Sequence, residues 1–201
     1  MDIDAIKKAF EEKKYKFQYF ATSDEAARYL NQEVDHKTVG FGDSQTLKEL
    51  GLFELLSSHN EVHSPMHTKL GETFYDAAKA AMFTDVFFTS VNGASISGEL
   101  VNIDGTGNRI AGSLFCHKKV YFVLGKNKIM PTLTEAVSRA RNVAAPANAK
   151  RLGKKTPCAI NGDHCYNCNS PDRICNAILL YTHKMQEIDA EVILIGQDLG
   201  L

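Results

Sequence analysis

The chain has 201 residues, 44% apolar and 23% charged, which suits one globular domain with its own core and excludes a disordered or fibrous chain. Its 23 Lys and Arg stand against 24 Asp and Glu, for a net charge of −1. The basic excess of a protein that coats nucleic acid or an anionic membrane is therefore absent. The opening MDIDAIKKAFEEKKYK has no apolar signal-peptide core, and no run of about 20 apolar residues follows anywhere. A cytoplasmic protein with neither nucleic-acid nor membrane partner is expected.

Asp4 to Ala21 carries Ile6, Phe10, Phe17 and Phe20 among charged residues and predicts a helix; a second runs from Ser23, as its cap, through Leu30. These N-terminal helices occupy residues 1–33. Residues 37–42 then predict a strand ending in glycines, with Asp43 and Ser44 capping one helix over Leu47 to Leu56. A helix over 72–82, a buried strand over 85–91 and a hairpin-like step into Leu100–Ile103 come next. After the polar loop 104–109 a short helical segment reaches Leu114, and 119–125 is the clearest strand. Thr132 caps a helix with Leu133, Ala136, Val137 and Ala140 at helical spacing, and another helix follows Pro146. Residues 174–185 suit helix or strand equally, and 191–196 form a final strand. Continuous apolar strands alternating with helices predict a three-layer α/β domain: a mainly parallel sheet with helices on both faces. It spans 1–201 as one unit, with a cysteine-rich elaboration over 156–176.

Four of the five cysteines, Cys158, Cys165, Cys168 and Cys175, fall in TPCAINGDHCYNCNSPDRIC with spacing C-x6-C-x2-C-x6-C. In a reducing compartment such a set points to metal thiolates rather than disulfides. Four soft ligands suit zinc, as a structural clip, or a [4Fe–4S] cluster, as an electron carrier. His164 can replace one ligand, and free or redox-active thiols are the alternative. Asn176 follows Cys175 where bacterial ferredoxin motifs often place Pro, which weighs against the ferredoxin reading. Cys116 stands alone and reads as a small buried apolar residue, while Pro65 breaks any helix that would align His59, His63 and His67.

In open α/β sheets, ligands collect beyond the carboxyl ends of strands. Two loops qualify. Gly40, Gly42, Asp43, Ser44 and Thr46 offer turn N–H groups and hydroxyls, without being a P-loop or a dinucleotide fingerprint. Asp43 would repel a phosphate unless it serves as a cap, so anion site and plain turn both stay open. Asp104, Gly105, Thr106, Gly107, Asn108 and Arg109 join two glycines to a cation suited to gripping a carboxylate or phosphate; an Asp104–Arg109 pair that merely orders the turn is the rival reading. Asn92, Glu99 and Asn102 lie on the neighbouring hairpin.

The segments from Asn92 to Arg109, Lys118 to Ile129, Arg141 to Arg151 and Gly196 to Gly200, together with the Gly40-to-Thr46 loop, resemble the LUD-domain family, the lactate-utilisation protein C group. The resemblance covers most of the chain from about residue 37. It implies the fold shared by ribose-phosphate isomerases and coenzyme A transferases, in which glycine loops hold a phosphorylated or carboxylated substrate. It also implies a part in oxidising lactate to pyruvate beside iron–sulfur partner proteins. Within it Glu99, in the Gly-Glu-Leu segment, is the candidate acid or nucleophile, and Lys128 is placed to reach an anionic substrate unless it is a solvated lysine. Three functions stay open: a subunit binding a small anionic metabolite, an electron-transfer or assembly subunit built on the cysteines, and a sugar-phosphate isomerase or coenzyme A transferase. A homo-oligomer is compatible with each.

Overall fold

The computed structural model describes residues 1–201. Helix α1 (Ile3–Glu12) starts where the Asp2 carboxylate accepts the Ala5 N–H and buries Ile6 and Phe10. It ends far short of Ala21. Lys14 takes a positive φ of 72°, and Lys16–Phe20 becomes strand β1. Phe17, which continues the helical spacing, instead stacks on Phe10 from the strand, with ring centroids 5.5 Å apart. Tertiary pairing has overridden local periodicity here. Helix α2 (Ser23–Glu33) is capped by Thr22 rather than Ser23, in a capping box with Glu25.

Next come β2 (Thr38–Phe41), α3 (Gln45–Glu49), α4 (Leu52–Ser57), β3 (Glu61–His63), α5 (Phe74–Ala81), β4 (Val86–Thr89), β5 (Gly93–Ser95) and β6 (Leu100–Asp104). The single helix expected over Leu47 to Leu56 is split at Gly51, whose φ of 62° is left-handed. After α6 (Asn108–Leu114) follow β7 (Lys119–Gly125), one 3₁₀ turn, β8 (Ile129–Met130), α7 (Leu133–Arg139), a π-helical turn over 140–144, α8 (Ala145–Arg151), α9 (Pro157–Asn161), β9 (Ala177–Tyr181) and β10 (Asp189–Ile195). No break precedes Pro146: the Ala145 N–H reaches back to the Ala140 carbonyl, and this widened turn lets α7 and α8 run on as one rod.

The main sheet is all parallel, ordered β1-β10-β7-β4-β2-β3. Its strands alternate between two cores. Val120, Phe122, Leu124, Val192 and Leu194 face the core that holds α1, whereas Tyr121, Val123, Ile193 and Ile195 face the one that holds α2, α3 and α4. Each such side chain contributes about 1.5–3 kcal/mol on burial, so both faces need helical cover and the three layers follow. Between β4 and β7 the chain leaves this sheet to lay down β5 and β6 of a second one, ordered β8-β5-β6-β9, which β8 and β9 complete between β7 and β10. The ambiguous residues 174–185 supply its edge as β9, antiparallel to β6. Gly93 on β5 admits the backbone of α7: a Cβ there would stand 2.6 Å from the Ala136 carbonyl oxygen. Cys116 is exposed at a φ of 79°, correcting its expected place in the core. No helix is long and apolar enough to cross a membrane.

Candidate functional site

The carboxyl ends of β2, β4 and β7 all open toward the seam between the two sheets, and a cavity of about 440 Å³ lies there. From behind β2 it receives Asp43, Ser44, Gln45 and Thr46; from behind β4, Ser90 and Asn92; from behind β7, Lys128. The small sheet contributes Asp104, Gly105, Thr106, Asn108 and Arg109, and the long rod with the cysteine loop closes the wall through Asn148, Arg151, Arg173 and Asn176. The two loops singled out in the sequence thus meet in one cavity. Gly40, Gly42, Gly107 and Glu99 do not line it.

Their positions explain why. Gly40 lies against the α5 carbonyl of Ala81 and the Thr84 hydroxyl, leaving no space for a Cβ. Gly42 supports the site from below, since a Cβ there would fall 2.9 Å from Arg109 Cγ. Gly107, at φ 95°, is the N-cap of α6. Glu99 faces α1, where Lys13 Nζ sits 2.7 Å from its Oε1 and the Ser95 and Ser97 hydroxyls donate to Oε2. Burial pushes its carboxyl up, but Lys13 and the two serines outweigh that and hold it at about 2.

Ser44, not Asp43, caps α3, accepting the Leu47 N–H at 3.4 Å. Asp43 is among the residues that line the cavity. Asp104 is committed: its Oδ2 accepts the backbone N–H groups of Arg109 and Ile110 at 3.0 and 3.1 Å. The Arg109 side chain donates to the Ile103 carbonyl and stands 4.0 Å from Asp104, so ordering of the turn and a cation at the cavity coexist.

Lys128 is 3% exposed and not the solvated lysine of the rival reading. Nζ donates to the Thr46 and Ser90 hydroxyls at 2.8 and 3.1 Å, and Ser90 Oγ donates to Thr46 at 3.2 Å. Burial, followed by Arg139 and Arg109, lowers its pKa to about 7 against the weaker pull of Glu49. Arg139, also buried, spends its donors on the main-chain oxygens of Asn127, Asn92 and Leu201 and stands behind the cavity rather than in its wall. Gln45 Nε2 is buried without a hydrogen-bond partner. Lys128, Arg109 and the unpartnered Gln45 amide on one cavity are the electrostatic complement of a small anion.

Ser90, Gln45 and Arg139 were missed in the sequence. Thr89-Ser90 at a strand end is a readable hydroxyl pair, but Arg139 sits inside an ordinary amphipathic helix and carries no signal. The four clustered cysteines are unpaired and half-buried, and no three metal-binding side chains converge among them. Arg173 ties their loop together, donating to the carbonyls of Cys168 and Cys175 at 2.7 and 3.1 Å. The three histidines stay apart in their contacts: His59 pairs with Asp35, His63 with Glu61, and His67 stacks on Phe53.

No curated protein matches the chain. A solved structure does: a DUF162 family protein from Deinococcus radiodurans, 11% identical, with a TM-score of 0.55 and 96% of each chain covered. That likeness concerns the fold alone, a parallel sheet between helical layers. The family model described as the LUD domain matches residues 3–195, which embraces both sheets and the cavity residues from Asp43 to Asn176, and the chain belongs to the LUD-domain family.

Proposed function

We propose that the protein binds a small carboxylate metabolite in the cavity between its sheets. The observation that carries this reading is Lys128, buried against two hydroxyls with no acidic partner, beside Arg109 and Arg139. A cation removed from water without a counter-ion is costly, and a bound anion relieves that cost. About 440 Å³ lies at the small end of the range for metabolite sites, ~300–1,000 Å³. Asp43 in the wall opposes a doubly charged phosphate and leaves a singly charged carboxylate favoured. The resemblance to lactate-utilisation protein C adds lactate and pyruvate as first candidates and makes a contribution to lactate oxidation the wider role.

Calorimetric titration with lactate, pyruvate and inorganic phosphate tests this. Lactate or pyruvate is expected to bind more tightly than phosphate. Arg109→Ala is expected to weaken the carboxylate by ~10- to 100-fold, the loss of a charge-assisted hydrogen bond of about 1.5–3 kcal/mol, with the fold intact by circular dichroism. The absence of heat with any of the three anions sinks the reading.

A second reading rests on the cysteine loop, whose C-x6-C-x2-C-x6-C spacing fits a four-thiolate centre although the thiols must move to converge. Arg173, Ile174 and Asn176 carry that loop into the cavity wall, so metal binding would tie an electron carrier or structural clip to the ligand site. Metal and acid-labile sulfide in anaerobically purified protein decide it. About four iron and four sulfide support electron transfer with iron–sulfur partners, about one zinc supports a clip, and neither removes the metal.

A further inference from the structure

Binding an anion does not require a lysine held among hydroxyls. Arg109 already supplies a fixed positive charge at the cavity, and Lys128→Arg would add another that never loses its proton. Lys128 differs in that its nitrogen can become a nucleophile. Lys128 lines the cavity, its hydrogen-bond partners are the hydroxyls of Thr46 and Ser90, and no Asp or Glu carboxylate forms an ion pair with it. The tail closes over it, since a Cβ on Gly200 would lie 3.1 Å from Nζ. Lys128 is only 3% exposed and lines the cavity, so water is restricted at the nitrogen.

We propose that Lys128 condenses reversibly with the carbonyl group of a small 2-oxo carboxylate, so that the cavity holds this class of ligand as a Schiff base. The proposal rests on the carboxylate-binding reading and names its substrate class. The lone pair of the neutral amine attacks the carbonyl carbon and gives a carbinolamine. The proton released from Nζ passes along the Thr46–Ser90 hydroxyl pair, 3.2 Å apart, to the former carbonyl oxygen. That oxygen takes the second Nζ proton by the same hydroxyls and departs as water while the C=N bond forms, so neutral amine and carbonyl give imine and water. The step consumes no oxidant or reductant. Arg109 faces the ligand carboxylate. Asp104 is already occupied by the α6 amides, so it does not compete for the guanidinium at full strength.

The neutral amine this needs is accessible, because burial and the two arginines bring the Lys128 pKa to about 7 from 10.5. At about pH 7 its neutral fraction then exceeds that of an exposed lysine by ~10³-fold. The other lysine in the cavity wall, Lys154, is less buried, and its backbone N–H is bonded to the Ala149 carbonyl. It serves as an internal comparison.

The test incubates the full chain with pyruvate and cyanoborohydride, followed by intact mass and peptide mapping. The expected result is a mass gain equal to pyruvic acid less one oxygen atom, mapped to Lys128. Labelling there should exceed that at Lys154 by ~100-fold or more, fall with excess lactate, and vanish in Lys128→Arg. Pyruvate that binds in the calorimeter, and binds more weakly to Arg109→Ala, yet leaves Lys128 unmodified overturns the Schiff base and spares the binding site. Labelling spread evenly over surface lysines in the wild-type chain overturns it as well, and needs no variant to fold. Failure of both pyruvate and lactate to bind overturns the underlying site together with the proposal.

Discussion

Lys128 and Glu99 are both ionisable residues held away from their ordinary titration ranges, and they affect stability in opposite directions. The Lys128 pKa falls to about 7 in the fold through burial and then Arg139 and Arg109, with Glu49 opposing. Between about pH 7 and 10.5 the unfolded chain therefore binds the extra proton, and stability due to this group rises with pH. Below about pH 7 the full penalty applies. Lys128→Met is expected to raise the melting temperature at about pH 6.5 and to lose most of that advantage by about pH 9.5, as thermal scans across the window would reveal. Glu99 behaves in reverse. Held at about 2 by Lys13, Ser95 and Ser97 against its burial, it stabilises the fold above its ordinary value near 4.5 and loses that contribution as the pH falls through about 2. Glu99→Gln should lower stability at about pH 7 and converge with wild type in strong acid, while leaving carboxylate affinity unchanged because Glu99 is outside the cavity. A large loss of affinity at about pH 7 would return Glu99 to the site.

At the scale of elements, glycine separates two jobs that look alike in sequence. Gly40 and Gly105 both belong to glycine-bearing loops, yet only Gly105 lines the cavity; Gly40 lets α5 settle against β2. Gly40→Ala is expected to cost about 1–3 kcal/mol by overpacking and to leave ligand affinity within about twofold in a folded sample, by denaturant titration and calorimetry. The inner strands of the main sheet, β10, β7, β4 and β2, were legible because each is buried on both faces and so reads as an apolar run, as in Val120 to Leu124. β1 was not, because Phe17 and Phe20 are spaced as well for a helix and only β10, far along the chain, decides between the two. The same limit hid β9, whose exposed Ile178 and Leu180 acquire meaning only from β6. Both cavity loops could be picked out from glycine, hydroxyl and charge content. Their convergence could not, since it depends on how the second sheet is hung on the first, and the place of Arg139 behind Lys128 becomes visible only after that step.

For the molecule as a whole, the strand order sets a timetable. β10, residues 189–195, occupies a central place between β1 and β7. During synthesis, β1 and β7 are made long before the strand that joins them, and until it arrives each offers an unpaired edge. Unsatisfied edges of this kind invite pairing with other chains. Ribosome-bound chains stalled before residue 189 has emerged should accordingly remain protease-sensitive in β1, and release of the finished chain should protect it; early protection of β1 would show that it folds without its partner. The late strand also precedes the segment that closes over Lys128, because Gly200 lies only a few residues beyond Ile195. Closure of the cavity over Lys128 therefore waits on completion of the sheet, and under the proposed function a nascent chain would capture a carboxylate only once β1 and β7 are joined.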